Sequence, residues 1–171
     1  MVMVLALGAH HISGQDFSTQ ARSEVIKFDF MVGKSIGDGW NYSQHGIKVK
    51  TSVFEDIRYD LDSTTSFIVG EGMSVKNGEK IKSHDALGVL SYDVFQNKFK
   101  MNSWIHNGMF TTANVEYKGE GNFVWWFKAE PMTMRSTVIV IYGKWQEIGK
   151  MTSDDRTWRQ FFEMNLLRVL D

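Results

Sequence analysis

Asn-Gly pairs set between segments of alternating apolar and polar residues constrain this chain more than any other feature. Asn77-Gly78 and Asn107-Gly108 are the dipeptides that two-residue hairpin turns favour, because both central positions there take φ > 0. Between them, ALGVLSYDV and KFKMNSWIHN read as adjacent strands joined by a polar turn at Gln96-Asn97. Similar units lie on either side, punctuated by Gln44-His45-Gly46, Asp62-Ser63, Lys118-Gly119-Glu120-Gly121, Pro131 and Ser153-Asp154-Asp155. The run TMRSTVIVIYGKWQEIGKM after Pro131 reads as a long strand-forming stretch. There is no alternation of strand with helix. The expectation is an all-β fold: a single antiparallel up-and-down β-barrel of about nine or ten strands, closed on itself.

A single proline among 171 residues, with 15 glycines, suits long strands whose bends are made by glycine. Gly33, Gly37 and Gly39 fit such bends at a barrel corner. They do not make a phosphate loop, because no strand precedes them and no Lys-Ser/Thr follows. Ser23 to Val32, SEVIKFDFMV, reads as a short helix capped by Ser23, ended by Gly33 and plugging one end of the barrel. The last element, RTWRQFFEMNLLRVL, has apolar residues at both helical and strand spacing. A strand is expected, since a closed barrel needs one to cover the edge of the first. Trp158, Phe162, Met164 and Leu166 would then face in, and Arg159 and Glu163 out.

Met1 to Ala9, MVMVLALGA, resembles the apolar part of a secretory signal peptide, without basic residues at its start. Residues 1–20 are accordingly expected to be a truncated leader, with processing near Gly14 or Gln15, and residues 21–171 the barrel domain. That implies an exported protein, periplasmic or secreted. The run is too short to cross a bilayer as a helix. No linker, repeat or low-complexity tract divides the rest.

The order FDFMVG, then RYDLDSTTSFIVGEG, HDALGVLSYDVFQNKF and SDDRTWRQFFEMNLLR resembles the bacterial lipocalin-like barrels of unknown function. These belong to the broader calycin group, which includes nitrobindin-type haem barrels. The likeness runs from about Ser23 to Arg168 and rests on a diffuse pattern, not a catalytic motif. It implies an exported bacterial barrel enclosing a small ligand, and it implies no particular substrate.

Charge and composition narrow the function. A formal net charge of −1, with 19 basic residues scattered along the chain, gives no surface that would track nucleic acid. The absence of cysteine excludes a disulfide scaffold, a thiol nucleophile and Cys-ligated zinc. Haem would need a histidine from a late strand, and the last one is His106. His84 and His106 should approach each other across the hairpin, and Glu71 or Asp85 would complete a metal site. They lack tight ligand spacing, and two polar residues at the barrel rim, exposed or bonded to backbone, account for them better. No cofactor or metal is expected.

The 13% aromatic content, including six tryptophans, is the better lead. Aromatics on a strand fill a core or line a pocket. Trp40, Tyr92, Trp104, Trp126, Tyr142 and Phe162 are the candidate ligand-binding residues. Trp125 and Trp126 are adjacent, so one points in and the other out; alternation alone does not say which. The expected function is non-catalytic binding of a small hydrophobic molecule inside the barrel. The alternatives are a small-barrel enzyme of isomerase or cyclase type, with no catalytic residue assigned, and then a haem or metal barrel. A continuous apolar cavity marks the binder, a buried carboxylate or Tyr–His pair in it marks the enzyme, and a Soret band marks haem.

Overall fold

The computed structural model describes residues 16–43 and 45–169. A helix, α1 (Ser18–Val25), continues into a 3₁₀ segment (Ile26–Met31), and ten strands follow. These are β1 (Gly33–Tyr42), β2 (Lys48–Asp60), β3 (Thr65–Lys76), β4 (Glu79–Asp93) and β5 (Lys98–Ile105). Then come β6 (Phe110–Gly119), β7 (Asn122–Ala129), β8 (Met132–Ile141), β9 (Lys144–Thr152) and β10 (Arg159–Arg168). Each strand pairs antiparallel with its neighbour in sequence, and β1 pairs with β10, so the sheet is a closed ten-strand barrel. The expected leader falls mostly on residues outside those described. From Ser18 onward the chain is already helix.

Turn chemistry explains the register. Asn77 and Gly78, with φ of 53° and 84°, make the two-residue turn between β3 and β4. Asp93 Oδ1 accepts the N–H groups of Phe95 and Gln96, tying the β4–β5 turn that ends at Asn97. The run after Pro131 is not one strand. Tyr142 and Gly143, with φ of 51° and 73°, turn it back on itself between β8 and β9.

Closure depends on glycine at β1. Gly39 lies against β10 so closely that a Cβ there would sit 2.7 Å from the Glu163 carbonyl oxygen, and one on Gly37 would overlap the Asn165 carbonyl. Side chains at both positions would hold the seam open.

The helical cap seals the end where β1 begins. It starts at Ser18, five residues before the expected cap, with the Ser18 N–H bonded to Asp16 Oδ1; the Ser23 hydroxyl instead donates to Gln20 O inside the helix. Phe28, fully buried, is the plug: Phe99, Tyr117 and Phe123 surround it edge-to-face at 4.9–5.4 Å. The Arg168 guanidinium donates to the carbonyls of Phe30 and Val32, fastening the cap to the last strand. The core is the barrel's inner face, continuous with this plug.

Candidate functional site

Above the plug the inner face encloses a cavity of about 410 Å³, within the range of sites for small organic ligands. Its walls are unequal. On β1, β3 and β4 they are built from Gly39, Gly70, Gly72, Ala86 and Gly88, which leave room. On β7, β9 and β10 they are Phe123, Trp125, Phe127, Trp145, Phe161 and Phe162. Methionines from the 3₁₀ segment, β5, β8, β10 and the β5–β6 loop fill the corners, an adaptable lining for an irregular occupant. Near the uncapped end, Thr51, Ser74 and Ser83 form a hydroxyl chain with links of 3.0 and 2.8 Å.

Two carboxyl groups interrupt the apolar surface. Glu55 on β2 and Glu147 on β9 are 8% and 6% exposed, and both line the cavity. Glu55 lies over Gly70, its partner on β3, where a Cβ would come within 2.8 Å of Oε1. No hydrogen bond from a described residue reaches its carboxyl group. Burial, with the Glu147 charge second, pushes Glu55 up to about 8. Burial also raises Glu147, to about 7, against the opposing donors Ser136, Trp125 and Trp145. The Trp125 indole N–H donates to Glu147 Oε1 at 3.1 Å. The buried Trp145 Nε1 has no partner in bonding geometry, although it too acts to lower Glu147.

The aromatic candidates separate by the face they occupy. Phe162 lines the cavity. Trp40 borders it at the rim, with its N–H directed to Glu163 Oε2 at 3.3 Å and Lys48 Nζ 3.7 Å from its ring centroid. Tyr92 packs on the core beside Phe99, at the capped end and below the cavity. The other three lie away from it. Trp104 is 45% exposed, because strand alternation puts its neighbours Ser103 and Ile105 inside and leaves it outside against Phe110. Trp126 pairs with Arg135 on the outer face, and Trp125 is the inward member of the pair. Tyr142 is 99% exposed at its turn, since the chain reverses before its alternation with Val138 and Val140 can carry it inward. Trp158 is also outside the barrel wall, preceding β10 with the Arg135 guanidinium 4.2 Å from its ring. Phe162, Met164 and Leu166 follow the expected alternation, and Glu163 faces out.

His84 lies on the cavity wall, and burial, then the His106 charge, lowers its pKa. The two histidines are therefore near each other, but Glu71 and Asp85 are drawn to Lys82 at 3.6 and 3.0 Å. Among the described residues no three His, Asp or Glu side chains converge on a common point.

Glu55 and Glu147 escape a sequence reading that assigns charged strand residues to solvent. Their parity carried the signal: Glu55 alternates with Val53 and Ile57, and Glu147 with Trp145 and Gly149.

No protein-family model matches the chain, and neither does any curated protein sequence. Among solved structures it is similar to the S-type phycobiliprotein lyase CPES from Guillardia theta, with a TM-score of 0.58 and 12% identity over 92% of this chain and 99% of that one. It is also similar to Rv2717c from M. tuberculosis, with a TM-score of 0.59 and 8% identity over 85% of this chain and 98% of that one. At these identities the likeness concerns architecture alone: the chain is a ten-strand antiparallel barrel of the calycin-like fold.

Proposed function

We propose that the barrel binds a small, largely apolar molecule without transforming it. The observation that carries this is the 410 Å³ cavity, walled by aromatics and methionines on one side and opened by glycines on the other. Its size and lining suit one molecule of drug-like dimensions. The lyase among the structural neighbours is named for work on phycobiliproteins, which fits a barrel that handles a small molecule. Native mass spectrometry of protein purified from its own host is the test. A retained mass that is lost on solvent extraction, and taken up again by the extracted protein, is the expected outcome. Protein that carries nothing and takes up nothing from host lipid extract overturns the reading.

A small-barrel enzyme is the second reading, and one observation favours it. Glu55 and Glu147 face the cavity and hold protons near neutral pH, as a general acid must. A change in the mass of the retained molecule on incubation would mark that case.

A further inference from the structure

We propose that Glu55 and Glu147 form a two-carboxyl anchor for one cationic nitrogen, an alkylammonium or amidinium group carried on the otherwise apolar ligand. The inference rests on the binding reading and specifies the ligand's polar end.

The argument begins with what surrounds the two groups. Glu147 already has a donor suited to its ionised form, Trp125 Nε1 bonded at 3.1 Å, and the buried Trp145 Nε1 nearby has no partner in bonding geometry. Glu55 has none, although it is 8% exposed and sits over the gap left by Gly70. Among the described residues the titratable groups facing the cavity are Glu55, Glu147 and His84, and no lysine or arginine lines it. The barrel thus brings two carboxyls, each raising the cost of ionising the other, into an apolar chamber, and among the described residues no lysine or arginine faces them there. A wholly apolar occupant would strip water from Glu55 and return nothing, which is costly for a buried polar group. An anionic occupant would bring neither carboxyl a donor and would repel each one that ionises. A nitrogen cation has donors for both carboxyls and the charge that permits them to ionise.

The test uses three ligands with one ring system and different heads: 1-naphthylmethylammonium, 1-naphthylmethanol and 1-naphthoate. Titration calorimetry at about pH 7 should show the ammonium binding at least about tenfold tighter than the alcohol, with the carboxylate weakest. Repeating it in buffers of different ionisation enthalpy should show protons released on ammonium binding, because the cation displaces those that Glu55 and Glu147 hold. Glu55→Gln and Glu147→Gln should each reduce the ammonium's advantage over the alcohol to about threefold or less and reduce the proton release. If the alcohol binds as tightly as the ammonium, or the Gln variants keep the preference and the proton release, the anchor is overturned and the binding reading survives. If none of the three binds, both fall.

Discussion

Glu55 makes the barrel's stability depend on pH in the sense opposite to most carboxylates. In the unfolded chain it gives up its proton near 4.5, whereas inside the barrel it holds it up to about 8. Between those values the folded state binds more protons, so each rise in pH favours unfolding; the contribution is complete below 4.5 and lost by about 8. Glu147 acts in the same direction up to about 7. His84, with its lowered pKa, acts in the opposite direction around its ordinary value. A Glu55→Gln variant isolates the first effect. Its Tm relative to the unaltered protein should be nearly unchanged at about pH 5 and higher by several degrees at about pH 8.5. Thermal unfolding followed by circular dichroism at the two pH values measures this, and a difference independent of pH would contradict it. The same residue shows where sequence reading stops. Its parity with Val53 and Ile57 is visible in the sequence, but the rule that charges face water opposes it, and only the cavity explains why a carboxyl is held inside.

At the scale of elements, the cap and its plug were legible in outline. SEVIKFDFMV contained the plug, Phe28, but the helix proper begins upstream at Ser18, and the part with Phe28 is 3₁₀. Asn-Gly announces the hairpin at Asn77-Gly78, because that pair tolerates φ > 0. Tyr142-Gly143 is not legible as a turn, since tyrosine is an uncommon residue at φ of 51° and the flanking strands run on as apolar alternation. Phe28 supports a prediction at this scale. Phe28→Ala removes a ring packed edge-to-face on three others and should cost about 3–5 kcal/mol in denaturant unfolding. Because Met31 and Phe123, both cavity residues, stand next to it, the variant should also admit longer apolar ligands. A loss under about 1 kcal/mol would mean that the cap is not part of the core.

For the whole molecule, the decisive contact is the one between β1 and β10. The sequence argued for closure because a first and a last edge left bare would be a liability. It did not show that closure requires β1 to approach β10 through Gly37 and Gly39, with Asn165 and Glu163 facing them. Gly37→Ala would force the backbones apart and should cost about 3 kcal/mol or more, with amide exchange accelerated in β1 and β10 ahead of β5 to β7. Uniform acceleration would place the weak point elsewhere. Nine of the ten pairings join consecutive strands, so each closes only a short stretch of chain. The tenth must bring together positions separated by nearly all of it, and loop entropy delays such a step. A molecule caught before that step carries two unfinished margins shaped for each other, and a second molecule in the same condition offers the same pair. Crowded refolding therefore sets self-sealing against zipping between chains, and dilution favours the first.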